Sequence, residues 1–304
     1  MVYMQFLSLL KKSFGEGMKS NVSVLAAALA YYTIFSIAPL FIFFLTIVSL
    51  MLSRTDAQAL LLQNLQPFIA EPVVQAINDL LNSIQNPPAT IIATAFGLLT
   101  LILGTTQIIL HLRYSLNKLW MVPSREGIGI FGEIKREIKT RFSTFLIVIG
   151  IGIFFVALVI ASAYLTTVAK HLNSLVPTLG FVLQIFDFLI SVGLATLLFA
   201  VVFKIIPDAK IAWSDVWIGS MVTAFLFSLG KFLLGMYFTK GAITSVYGAA
   251  GSLVIIILWL YYSAQIFFFG AEFIYVYSIR FGSRQKKLRS EPNPESEEEH
   301  LTWI

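Results

Sequence analysis

The sequence predicts an all-α membrane protein: six transmembrane helices with short amphipathic interfacial helices, and both termini on the cytoplasmic side. Three observations lead there. The 304-residue chain is 58% hydrophobic and 12% charged, whereas a soluble domain is about 25% charged. Six apolar stretches each reach the length of about 20 residues that a helix needs to cross a bilayer. The positive charges fall almost entirely on one side of those stretches.

Such a composition leaves too much apolar surface for a water-soluble core, so most of the chain faces lipid or other membrane helices. One membrane domain is expected over residues 1–282. A disordered, acidic cytoplasmic tail follows over 283–304, carrying Glu291, Glu295, Glu297, Glu298 and Glu299 with two prolines. With no cysteine there is no disulfide and no thiolate metal site. The net charge of +5 reads as cytoplasmic loops beside anionic lipid, not as a nucleic-acid surface.

Taken in order, Phe6, Leu10, Phe14 and Met18 recur every four residues and predict a short helix lying on the inner membrane surface. The first span covers 25–52. Its Pro39 removes the backbone bond to the Phe35 carbonyl and is expected to kink the helix, with Ser36 helping to satisfy the freed groups. In the next loop Pro72 opens a pattern of Val73, Ile77, Leu80, Leu81 and Ile84 against polar residues. This predicts an amphipathic helix on the outer surface, a cap over the bundle mouth or a gate, stopping near Pro87-Pro88. The second span covers 89–112. Ile130, Ile134 and Ile138 among alternating charges predict an in-plane helix, with Glu133–Arg136 and Glu137–Arg141 at ion-pair spacings. Spans follow at 142–169, 181–203, 216–238 and 252–277. The small-residue run 241–252 is either a tight turn or a partly unwound helix start.

Only Arg54, Lys170 and Lys240 fall in the loops assigned outside; the remaining Lys and Arg, apart from Lys231 inside a span, fall on the other side. The positive-inside rule therefore puts both termini in the cytoplasm, as an even number of spans requires. Trp213 and Trp217 stand where an interfacial aromatic belt is expected.

Two stretches carry a family resemblance. One is Ala26-Ala27-Ala28-Leu29-Ala30-Tyr31-Tyr32-Thr33-Ile34-Phe35-Ser36-Ile37-Ala38-Pro39-Leu40. The other runs from Tyr247-Gly248 through Leu258-Trp259-Leu260-Tyr261-Tyr262-Ser263-Ala264-Gln265 to Gly270-Ala271-Glu272. Together with Lys204-Ile205-Ile206-Pro207-Asp208 they resemble the YihY/virulence factor BrkB family of bacterial inner-membrane proteins. The resemblance implies six membrane helices and an inner-membrane location. It also implies a former label, ribonuclease, which the residues can test.

A metal-dependent nuclease needs clustered His, Asp or Glu. The three histidines, His111, His171 and His300, fall on both sides of the membrane, and there is no HExxH motif. Gly230-Lys231 is not a P-loop, because Phe225 stands where the first glycine belongs. No enzyme is expected, and no cofactor or metal.

The informative residues are the charges within the spans. A charge at mid-bilayer costs about 2.5–3.5 kcal/mol, so one kept there has a partner or a wet surface. Asp187 and Lys231 each lie about 10–12 Å below the outer surface at 1.5 Å per residue, a depth match that predicts an ion pair, structural or lining a substrate path. Glu272, near the inner end of the sixth span, either snorkels to the interface or accepts hydrogen bonds from Gln107 or His111. Tyr31, Tyr32, Tyr261, Tyr262 and Gln265 either pack or line a polar pocket. The expected function is transport or handling of a lipid or other amphiphile, through a polar pocket among the first and the fourth to sixth spans. The pathway residues are Asp187, Lys231, Glu272, Gln265, Tyr31, Ser36 and Pro39; the partners are membrane lipids. The competing expectation is a scaffold that recruits an envelope protein and moves nothing.

Overall fold

A computed structural model describes residues 2–48, 54–66, 69–83, 91–122, 150, 180–209, 211–239 and 246–284. Apart from residue 150 and residues 283–284, the predicted third span, the in-plane helix at 130–141 and the acidic tail lie outside these. Every regular element among the described residues is helical. They are α1 (Val2–Lys19), α2 (Val22–Val48), α3 (Arg54–Leu65), α4 (Glu71–Ser83), α5 (Ile91–Leu119), α6 (Gly180–Ile205), α7 (Trp213–Thr239) and α8 (Gly251–Arg280). Helices at Phe188–Ile205, Trp213–Thr239 and Gly251–Arg280 are long and apolar enough to cross a membrane.

The 30-residue α8 is the centre of the bundle. It packs on α7, α2, α1 and α4, while α5 packs on α2 and α6 on α7. Small residues bring these helices together. Gly219 and Thr223 of α7 face Ile274 and Gly270 of α8, and Gly230 faces Tyr262. Gly104 of α5 meets Ser36 of α2. Without a hydrophobic drive between helices in lipid, this close backbone approach is what holds them.

Two apolar clusters fill the ends. One joins Ala26, Leu116, Trp120, Phe203, Val216, Phe268 and Ile274 of α2 and α5–α8. The other joins Leu61 and Leu65 of α3, Val73 and Ile77 of α4, Phe238 of α7, and Ile255, Ile256 and Trp259 of α8. The amphipathic helix expected after Pro72 is thus α4, with its apolar face closing one end of the bundle. α1 docks on α8 through Leu9, beside Phe273 and Val276. Of the stripe read from the sequence, Leu10 packs beside this cluster, whereas Phe14 and Met18 stay 62% and 69% exposed. Lys12 on α1 is held below the usual lysine range, chiefly by burial and then by Arg280, with Lys19 adding and Glu16 opposing.

Turns between helices are short. Asn21, at φ 57°, ends α1 and accepts the first backbone bonds of α2 from Val24 and Leu25. Asparagine tolerates this left-handed conformation better than most residues. Of the small-residue run, residues 246–252 are described, and they include a 3₁₀ turn, Gly248–Ala250, that leads into α8.

Candidate functional site

Among the described residues a groove of about 670 Å³ opens between α6, α7 and the start of α4. Phe188 and Ser191 of α6 form one wall, and Phe225, Ser228, Leu229, Lys231, Phe232 and Met236 of α7 the other. Ala70, Glu71 and Pro72 close its end. Helical spacing explains the α7 wall. Residues 225, 228, 229, 232 and 236 repeat at three- and four-residue intervals and share one face. The apolar wall is open: Phe188, Phe225 and Phe232 are each more than half exposed.

The polar groups gather where the tip of α3–α4 reaches α7. The Ala70 side chain lies beside Gly235, where an added Cβ would find it at 3.7 Å. Lys231 Nζ donates to the Gln66 carbonyl, and Gln66 Nε2 donates to Glu71 Oε2 at 3.4 Å. A carbonyl freed at the end of α3 thereby receives a cation, a favourable arrangement at a helix C-terminus. Lys231 lies eight residues before the end of α7 at Thr239, which is about 12 Å along the axis. The α3–α4 tip is therefore set well down the side of α7.

The pathway residues predicted from sequence are not gathered in one place. Lys231 lines the groove. Asp187 lies on α6 beside the groove-lining Phe188, but its side chain is outside the described residues, as is that of Pro39. α2 is helical on both sides of Pro39. Ser36 is 2% exposed and donates to the Tyr32 carbonyl at 2.9 Å, not to the Phe35 carbonyl that Pro39 frees. A helical serine most readily reaches the carbonyl four residues back, and for Ser36 that is Tyr32. Tyr31 is exposed on α2 and packs on Phe35 at 4.9 Å. Gln265 is half-buried on α8. Glu71, Ser191 and Ser228 were not singled out from sequence. Ser191 follows Asp187 by one helical turn and Ser228 precedes Lys231 by one, the signal that was available.

Glu272 departs from both readings of it. It is 1% exposed, so it does not snorkel. The groups facing it are Ser20 and Glu16 at the α1–α2 junction, while His111 Nε2 instead lies 3.0 Å from the Leu25 carbonyl and Gln107 is exposed. The docking of α1 on α8 explains this. A short helix read as lying on lipid covers the acid. Glu272 Oε1 has no hydrogen-bond partner among the described residues.

The end of the bundle near Glu272 is tied by polar contacts. Arg113 Nε donates to the Ile206 carbonyl at 3.1 Å. Asn117 and Asp208 exchange two bonds of 2.7 and 2.9 Å. Trp120 Nε1 donates to the Ala271 carbonyl at 2.8 Å. Buried Asp215 accepts from the Ser283 backbone and hydroxyl at 2.9 and 2.7 Å. Lys204 donates to the Ile211 carbonyl and lies over Trp213.

Comparison with known proteins decides the family. The profile described as virulence factor BrkB matches residues 13–295. The chain belongs to the virulence factor BrkB family. Its relatives include the UPF0761 membrane protein of Alteromonas mediterranea, 26% identical over 262 residues, which cover 84% of this chain and 82% of the relative. Another, from Vibrio atlanticus, is 30% identical over 267 residues, covering 83% and 76%. A third, from Pseudoalteromonas atlantica, is 25% identical over 278 residues, covering 88% and 85%. No solved structure matches.

The stretch Gly270-Ala271-Glu272, which carried the family resemblance, has a physical meaning in this fold. Gly270 admits Thr223, the Ala271 carbonyl receives Trp120, and Glu272 meets the α1–α2 junction. Three consecutive residues join α8 to α7, α5 and α1.

Proposed function

We propose that this membrane protein handles a lipid or other amphiphile, taking it into the groove between α6 and α7. The observation that carries the reading is the composition of that groove: an open apolar wall of Phe188, Phe225 and Phe232 is interrupted by Ser191 and Ser228 and meets Lys231 and Glu71. Apolar pockets with a few convergent polar groups are the usual form of a small-molecule site, and about 300–1,000 Å³ is the usual size. An intramembrane cation at its edge is costly to keep on α7 unless it faces a polar surface. The bundle sits in the bacterial inner membrane with six spans, both termini cytoplasmic and the α3–α4 tip outside. The groove then opens toward the outer leaflet.

The test is lipid movement in proteoliposomes that carry a fluorescent phospholipid. Ser228→Trp fills the groove from its half-buried wall. It is expected to abolish protein-dependent movement while the chain elutes as a folded species. Movement at the wild-type rate in Ser228→Trp, or none above protein-free liposomes in the wild type, would sink the reading.

A further inference from the structure

We infer that the groove selects a lipid whose headgroup carries both a phosphate and an ammonium, a zwitterionic phospholipid. The inference rests on the lipid-handling reading above and names its substrate class. The observation is that one small polar end holds both signs of charge. Lys231 and Glu71 line the same groove and are joined through Gln66, whose carbonyl accepts from Lys231 and whose amide donates to Glu71 at 3.4 Å.

Each alternative headgroup leaves something unmatched. A purely anionic headgroup meets Lys231 but places its charge near the Glu71 carboxylate, which weakens the field at the start of α4. A neutral headgroup leaves both charges to the protein and water. A phosphate beside Lys231 and an ammonium beside Glu71 answers both. The apolar wall orients the rest of the molecule. Phe225 lies six residues from Lys231 on α7, about 9 Å deeper along the axis, and Leu229 lies between them. An acyl chain laid along that face runs from the polar end toward the bilayer centre. A volume of about 670 Å³ takes the headgroup and the upper part of one chain; the remainder stays in the bilayer.

Glu71 is exposed, so its contribution is that of a solvated charge. Such pairs contribute up to about 1 kcal/mol, or about fivefold in affinity. The experiment is native mass spectrometry of the full chain, titrated with phosphatidylethanolamine, phosphatidylglycerol and diacylglycerol of identical chains. The wild type is expected to retain the ethanolamine lipid about fivefold better than the glycerol lipid, with diacylglycerol weakest. Glu71→Gln, at an exposed position, is expected to erase the difference, and Glu71→Lys to reverse it. Water-soluble glycerophosphoethanolamine at equal concentration is expected not to displace the lipid. Equal retention of the two phospholipids by the wild type overturns the inference and leaves lipid handling standing. So does an unchanged preference in Glu71→Lys. Displacement by the soluble headgroup overturns the lipid assignment, and retention of no lipid class overturns both readings.

Discussion

Replacing Gly270 by alanine tests whether the α7–α8 seam depends on backbone contact. A Cβ there would lie 2.0 Å from Thr223 Oγ1 and 2.9 Å from its Cβ and Cγ2. Carbon atoms in contact normally sit about 3.5–4.0 Å apart. Thr223 has little room to turn away, because its hydroxyl donates to the Gly219 carbonyl at 2.7 Å and a β-branched side chain is stiff at χ1. The helices also cannot slide freely, since Gly219 is pressed against Ile274 one turn away. They must part by on the order of 1 Å, and overpacking of this kind costs about 1–3 kcal/mol. That loss has to exceed the gain of about 1 kcal/mol that alanine brings to a helix interior. A net loss of up to about 2 kcal/mol follows, and each kcal/mol lowers the melting temperature by about 2–4 °C. Thermal melting in detergent, read by size-exclusion recovery, measures it. Thr223→Ala removes Oγ1 and Cγ2 and leaves only the 2.9 Å approach to Cβ, so the double variant recovers at least half of the loss. A Gly270→Ala protein that melts at or above the wild-type temperature would refute the reasoning, as would strict additivity in the double variant.

Other outcomes are equally specific. Met121, exposed at the end of α5, has φ 51°, and its neighbour Val122 bonds back to the Asn117 carbonyl at 2.9 Å. Glycine suits that left-handed position, so Met121→Gly is expected to raise stability by about 1 kcal/mol; a lower melting temperature contradicts this. For the topology, reporter fusions after Asp79 and after Lys135 are expected to report opposite compartments, and the same compartment for both rules the orientation out.

Three helices long and apolar enough to cross a membrane were legible, because length and hydropathy alone define them. Predicted limits of 181–203, 216–238 and 252–277 became α6, α7 and α8 with ends moved by one to three residues, and 89–112 began two residues before α5 does and ended about two turns early. The miss at α5 has a cause. Arg113, Asn117 and Lys118 look like loop residues, yet Arg113 and Asn117 are used by the fold, on Ile206 and Asp208. α4 was legible from its apolar stripe, whereas α3 was not, because its apolar residues are spread around the helix. The site was less legible. Lys231 was found because a charge in a span is rare. Glu71 was not, because an acid before a proline at a helix start is ordinary, and only the position of the α3–α4 tip against Gly235 brings it to α7. Glu272 was misread for the same reason: what covers it comes from α1, far away in sequence.

Among the described residues, the polar and aromatic ties of α6 lie near its C-terminus, and the groove lies toward its N-terminus. Near its C-terminus, Phe203 stacks on Phe267 of α8 at 4.7 Å, the Ile206 carbonyl takes Arg113, and Asp208 just beyond exchanges bonds with Asn117. Those interactions tie α6 to α5 and α8 as well as to α7. Toward its N-terminus the described groove residues Phe188 and Ser191 face α7 and the start of α4 across open space. Packed interiors resist displacement, because pulling close-packed atoms apart forfeits dispersion energy and breaking a buried polar bond costs more. Widening the groove disturbs little packing among the described residues, whereas separating the other end breaks the Asn117–Asp208 pair and the aromatic stack together. Under the proposed reading, an amphiphile entering between α6 and α7 meets the part of α6 that has fewer ties among the described residues.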